Sequence, residues 1–126
     1  MPSVISIVDD DPSVRNATNN LLTSYGYIVH TFVSADEFLN SAELRDTSCV
    51  ITDVQMPCMN GLDFLGHMRS LGHNAPFIFI TAFPNEAVRA RAIKAGAISF
   101  LAKPFTTPTL ITCLKIALEG PNGTCG

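Results

Sequence analysis

Five short runs of β-branched and aromatic residues punctuate the chain. They are Val4-Ile5-Ser6-Ile7-Val8, Tyr27-Ile28-Val29-His30-Thr31-Phe32, Cys49-Val50-Ile51-Thr52, Phe77-Ile78-Phe79-Ile80 and Ile98-Ser99-Phe100-Leu101, each of which predicts a strand. Between them the apolar positions change to helical spacing. Asp11 caps a first helix with Pro12 at its first position, Val14, Ala17, Leu21 and Leu22 form the stripe, and Gly26 stops it. Ser34-Ala35-Asp36-Glu37 reads as a capping box opening a second helix with Phe38, Leu39 and Ala42 on one face. Gly61 to Leu71 carries Leu62, Leu65 and Met68 ahead of Gly72; Pro84 to Ala95 stops at Gly96. A fifth helix begins near Thr107-Pro108 and shows Leu110, Leu114, Ala117 and Leu118.

Strict alternation of strand and helix predicts an α/β fold with right-handed crossovers, and the near-continuous apolar strands place a parallel sheet between two helical layers. In such sheets the functional crevice lies beyond the carboxyl ends of the strands. The residues there are Asp9-Asp10-Asp11 after the first strand, Asp53 after the third, Thr81 after the fourth and Lys103-Pro104 after the fifth. The last seven residues, Gly120 to Gly126, lose the helical pattern, which predicts one domain over 1–119 and a linker or tail over 120–126.

Composition narrows the function classes. The 126 residues are 47% apolar and carry 8 basic against 11 acidic side chains, a formal net charge of -3. That balance offers phosphate backbones and anionic lipid no general attraction, so direct nucleic-acid binding by this domain and membrane binding are not expected. Apolar runs such as Phe77 to Ile80 are far too short to span a bilayer, and the start of the chain has no signal-type pattern, from which a cytoplasmic location is expected. Cys49, Cys58, Cys113 and Cys125 form no C-x-x-C pair, and His30, His67 and His73 share no ligand-like spacing. The cysteines read as small core or loop residues, and zinc is not indicated.

The converging strand ends do carry chemistry. Carboxylates brought together repel one another unless a cation neutralises them. A hard divalent ion such as Mg²⁺ suits an all-oxygen donor set: Asp10 and Asp53 directly, the backbone carbonyl of Gln55, and Asp9 through a water. An aspartate beside Mg²⁺ can act as a nucleophile toward phosphorus, with Lys103 supplying a second positive charge and Thr81 a hydroxyl for the phosphoryl oxygens. Taken singly each has an ordinary reading: acids at helix starts cap them, lysines are solvated, and Thr81 can cap a turn before Pro84. Their joint arrival at one sheet edge favours the chemical reading, with Asp11 left as the helix cap.

Ile7-Val8-Asp9-Asp10-Asp11, the segment Ile51 to Gly61 with its Asp-x-x-Met-Pro-x-Met-x-Gly pattern, Ile80-Thr81-Ala82 and the stretch Lys94 to Phe105 resemble the response-regulator receiver domain of two-component signalling. The separations of 43 residues from Asp10 to Asp53, 28 from Asp53 to Thr81 and 22 from Thr81 to Lys103 agree with that family. The resemblance implies a flavodoxin-like (βα)5 fold with strand order 2-1-3-4-5, and a switch rather than a turnover enzyme. Asp53 would take a phosphoryl group from a histidine kinase with Mg²⁺; Lys103, Thr81 and Ala82 would bind it; the bond to Pro104 would be cis. Thr81 and Phe100 would be the switch pair. Ala92 to Ala97 and Phe100 to Phe105 resemble the FixJ subgroup, which implies a phosphorylation-dependent homodimer through the fourth helix and fifth strand, and control of a transcriptional output domain or partner.

Arg89, Arg91 and Lys94 on the fourth helix read as a solvated face. Kinase specificity is expected on the exposed face of the first helix, where Asn16, Asn19 and Asn20 carry no readable code. The subgroup usually places a glycine-containing polar loop where this chain has Phe83-Pro84-Asn85. Phe83 is therefore expected to shield an acyl phosphate from water and lengthen its lifetime. Two alternatives stand beside the receiver. One is a stand-alone receiver. The other is an aspartyl-phosphate hydrolase of similar topology, against which Asp53 is followed by Val54-Gln55 with no second acid; a nucleotide or flavin module lacks its Gly-rich loop after the first strand.

Overall fold

The computed structural model describes residues 3–56 and 59–125, with side chains through Glu119. In chain order the elements are β1 (Val4–Val8), α1 (Pro12–Ser24), β2 (Ile28–Phe32), α2 (Ala35–Leu39), a 3-10 turn (Ala42–Leu44), β3 (Cys49–Asp53), α3 (Gly61–Ser70), β4 (Phe77–Thr81), α4 (Glu86–Lys94), β5 (Ser99–Ala102) and α5 (Thr107–Cys125). All five strands run parallel in the order β2-β1-β3-β4-β5. This is the doubly wound sheet that the alternation predicts.

The central strands decide the core. Every residue of β3 and β4 is buried, as are Ile5 to Val8 of β1, because helices cover both faces. Side chains alternate across the sheet, so two apolar clusters form. One gathers Val8, Val50, Phe77 and Phe79 with Phe38, Phe64, Leu65 and Met68 of α2 and α3. The other gathers Ile5, Ile7, Ile51, Ile78 and Ile80 with Leu22 of α1 and Leu110 and Leu114 of α5. Within the first, Phe32, Phe38, Phe64, Phe77 and Phe79 make successive edge-to-face contacts with centroids 5.1 to 5.9 Å apart, a geometry favoured by the ring quadrupole. The edge strands β2 and β5 are only partly buried.

The capping signals largely act as the pattern predicts. Asp11 accepts from Ser13 N–H at 2.9 Å with Pro12 at the helix start. The Ser34 hydroxyl accepts from Glu37 N–H, and Glu37 reaches back to Val33 N–H at 3.1 Å. Gly26 and Gly96 follow the ends of α1 and α4 with φ of +92° and +109°, which a side chain would resist.

Three helix boundaries differ from the pattern by more than one residue. α2 ends at Leu39, so Ala42 falls in the 3-10 turn and not on the helix face: the Ser41 hydroxyl turns back to the Phe38 carbonyl at 2.7 Å and competes with the helical bond. α4 begins at Glu86 and not at Pro84, because Asn85 is the stronger cap, its side chain accepting from both Ala87 and Val88 N–H. α5 continues through Cys125, past Gly120 where the apolar pattern stops.

Cys49 is buried and Cys113 half-buried, both free; Cys58 and the side chain of Cys125 lie outside the described residues, as does Pro57. Burial pushes the Cys49 thiol up to about 12, with Cys113 adding to the effect. No helix among the described residues is long and apolar enough to cross a membrane.

Candidate functional site

The carboxyl ends of β1, β3, β4 and β5 meet at one edge, and the parallel register sets what meets there. Val8 pairs with Thr52, Asp53 with Ile80, and Thr81 with Ala102, so Asp9, Asp53, Thr81 and Lys103 fall in one layer. Lys103 Nζ lies 2.9 Å from Asp53 Oδ2 and 3.1 Å from Asp9 Oδ2. Asp9 has no exposed surface, and Asp53 retains 8%. Asp10 is exposed. Carboxylate oxygens of Asp9, Asp10 and Asp53 lie within 4.8 Å of one another, the one such grouping of acids, histidines or cysteines among the described residues.

Backbone donors complete the clamp on the acids. Asp9 Oδ1 accepts from Asp11 N–H and Asp53 Oδ1 from Gln55 N–H, each at 2.9 Å. Burial raises the Asp9 carboxyl above its ordinary 3.8, although the Asp11 N–H and Lys103 pull it down. A carboxyl raised by folding binds its proton more tightly in the native chain, so the fold gains stability as pH falls through that raised value toward 3.8. For Lys103 burial works downward, but its hydrogen bonds and charge contacts with Asp53 and Asp9 outweigh it and the ammonium is held above 10.5.

Gly61, the first residue of α3, is drawn tight against the end of β3. Gly61 N–H donates to the Val54 carbonyl at 2.8 Å, and a Cβ on Gly61 would sit 2.7 Å from the Asp53 carbonyl oxygen and 2.8 Å from the Phe79 ring. Only glycine permits that approach. Thr52, fully buried, donates its hydroxyl to the Asp53 carbonyl at 3.1 Å. The sequence signal for Gly61 is its place in the Asp-x-x-Met-Pro-x-Met-x-Gly segment. Thr52 and Arg15, whose Nη1 donates to the Asp9 carbonyl at 2.7 Å, have no signal short of the fold.

At the β4 end the Thr81 hydroxyl accepts from Phe83 N–H at 3.1 Å. Ala82 and Phe83 are exposed, Phe83 to 72%. Phe100 is half-buried against the cluster that contains Ala92 and Ala97. Arg89, Arg91 and Lys94 are exposed. The Lys103-Pro104 peptide bond is cis. A groove of about 560 Å³ runs between α1 and the segment after β5, lined by Val14, Ala17, Thr18, Leu21, Pro104 and Phe105 beside Lys103.

A doubly wound parallel sheet thus gathers three carboxylates and one lysine at its carboxyl edge, the arrangement of an α/β module with its site at the strand ends. Residues 5–115 match the response regulator receiver domain family, and the chain belongs to that family. It is 43% identical over 117 residues to the response regulator protein TmoT of Ectopseudomonas mendocina, covering 93% of this chain and 53% of that protein. With the transcriptional regulatory protein FixJ of Azorhizobium caulinodans it shares 33% over 114 residues, covering 90% and 54%. The crystal structure of FixJ-N superposes with a TM-score of 0.85 at 34% identity, over 94% of this chain and 95% of that one. The chain spans about half the length of the curated relatives it matches. Receiver domains are phosphorylated by histidine kinases and act as signalling switches rather than turnover enzymes.

Proposed function

We propose that Asp53 is the phosphoacceptor of this receiver. The observation that carries the reading is the contact of Lys103 Nζ with Asp53 Oδ2 at 2.9 Å beside the Asp9 and Asp10 carboxylates. One Asp53 oxygen attacks the phosphorus of a phosphorylated kinase histidine; the O–P bond forms as the N–P bond breaks, and the electron pair returns to the imidazole. The site needs charge and alignment more than acid-base machinery, so self-catalysed transfer from a small acyl phosphate is expected of the same arrangement. Lys103 leaves Asp53 to pair with the incoming phosphoryl oxygens. Thr81, whose oxygen accepts from Phe83 N–H, keeps its proton free to donate to the same group. Exposed Ala82 leaves room for it.

The all-oxygen donor set, crowded and carrying more acid than base, fits a hard divalent cation. Asp10, Asp53 and the Gln55 carbonyl would hold Mg²⁺, with Asp9 acting through a water, and the ion would neutralise charge on the phosphoryl oxygens. Phosphorylation adds about two negative charges at neutral pH. Thr81 then turns toward the phosphoryl group and Phe100 swings inward, which resets the α4/β5 surface for a homodimer and a transcriptional output, in the cytoplasm. Kinase docking is assigned to α1 and the groove beside Pro104 and Phe105. The receiver domain is taken as 1–119, and 120–126 as the linker or tail beyond it.

The test is labelling by acetyl phosphate with Mg²⁺, read by intact mass for wild type and Asp53→Ala, with size-exclusion chromatography on the same samples. One phosphoryl mass gained by wild type and absent from Asp53→Ala is expected, together with a shift to dimer. Labelling that survives in Asp53→Ala overturns the assignment. Labelling without dimerisation removes the dimer and leaves the acceptor.

A further inference from the structure

Asp9 is held by more than its side chain. Its N–H donates to the Phe32 carbonyl at 3.1 Å, continuing the β1–β2 ladder by one residue. Its carbonyl oxygen, one residue past the end of β1, accepts from Arg15 Nη1 at 2.7 Å. Arg15 stands in the opening of α1, its own N–H bonded to the carbonyl of the cap residue Asp11 at 3.0 Å. Helical side chains lean toward the N-terminus, so a long arginine at this position reaches back over the turn to the strand end. A cation in this place works against the helix dipole, which favours acids there. Local preference is set aside where a contact elsewhere requires it.

We infer that Arg15 is a positioning residue for the phosphoryl site. By holding the Asp9 carbonyl it fixes the Asp9-Asp10-Asp11 turn, keeps the Asp9 and Asp10 carboxylates gathered with that of Asp53, and so sets the affinity for divalent cation. Lys103 cannot do this alone. It bonds the Asp9 and Asp53 side chains, and the proposed chemistry draws it away toward the phosphoryl oxygens. Arg15 bonds the main chain and is left in place by that exchange. This inference rests on the acidic cluster being the cation site.

The sign of the effect separates positioning from plain electrostatics. A guanidinium close to a cation site repels the cation, so deleting a mere neighbouring charge tightens binding. Deleting a positioning bond loosens it, by roughly 10-fold for a group of this kind. Mn²⁺ binding, followed by the electron paramagnetic resonance of the free ion, is measured for wild type, Asp10→Asn, Arg15→Met and Arg15→Lys, with thermal melts of each in chelator. Arg15→Met is expected to bind Mn²⁺ roughly 10-fold more weakly, and Arg15→Lys, which keeps a cationic donor group, to recover part of the loss. Binding in Arg15→Met as tight as wild type or tighter overturns the inference, even if its melting temperature falls, since Arg15 would then serve stability alone. Wild type that ignores Mn²⁺, or binding that survives Asp10→Asn unchanged, defeats the cation site itself and this inference with it.

Discussion

Around Asp9 every polar group has a partner: the N–H has the Phe32 carbonyl, the carbonyl has Arg15, and the two carboxylate oxygens have Asp11 N–H and Lys103. Around Thr81, on the same sheet edge, the chain is far less committed. Ala82 through Ala87 are all exposed, and α4 buries Ala92 alone. Both regions grow from strands that are buried at their ends, so the sheet does not cause the difference. The connections leaving the strands do. The β1–α1 connection is tied by side chains and Gly61 by close backbone approach to β3, whereas β4 hands over to a helix that buries little apolar surface. The acidic half is held in place by these bonds, and the β4–α4 half has little packing to oppose a rearrangement.

The largest expected contrast is in stability. Phe64 is fully buried beside Phe38 and Phe77 under the tied half, and Phe64→Ala should cost about 3–5 kcal/mol by urea denaturation. Val88→Ala, on the partly buried face of α4, should cost about 1 kcal/mol. Equal losses at the two positions would remove the contrast.

The next effect is electrostatic. Lys103→Met leaves Asp9 and Asp53 without their shared cation and should cost roughly 1–3 kcal/mol at neutral pH. The Lys103 ammonium is raised in the fold, so its contribution is whole below the ordinary value of 10.5 and is lost as pH rises through the higher folded value. The gap between wild type and Lys103→Met should therefore be level from neutral pH to near 10.5 and close above it. A gap already closing at pH 8 would mean that the ammonium is not held up by the two carboxylates.

Phe83→Asn should move stability least, by under about 0.5 kcal/mol, because the ring is 72% exposed. Its effect should appear instead as faster loss of label from the phosphorylated protein. Label lost at the wild-type rate would show that Phe83 shields nothing.

Much of this molecule is legible in one dimension. Asp11 and Ser34 each cap a helix through a side chain that bonds the backbone two or three residues on, and such signals travel with the sequence. The fourth helix exposes the limit: Pro84 reads as its start, yet the Asn85 side chain accepts from both Ala87 and Val88 N–H and moves that start to Glu86. The second helix ends early for a similarly small reason, one serine hydroxyl competing with the helical bond.

The chain by itself determined which residues stand at the strand ends, because period and caps are local, and with the receiver motif it determined the family. Tertiary structure alone decided that Lys103 bridges Asp9 and Asp53, residues 94 and 50 positions away, that Arg15 closes on the Asp9 carbonyl, and that Gly61 admits no side chain. Those contacts depend on the register of parallel strands and on helix packing. Both are settled by burying the sheet on two faces at once, a condition that no short window of sequence contains.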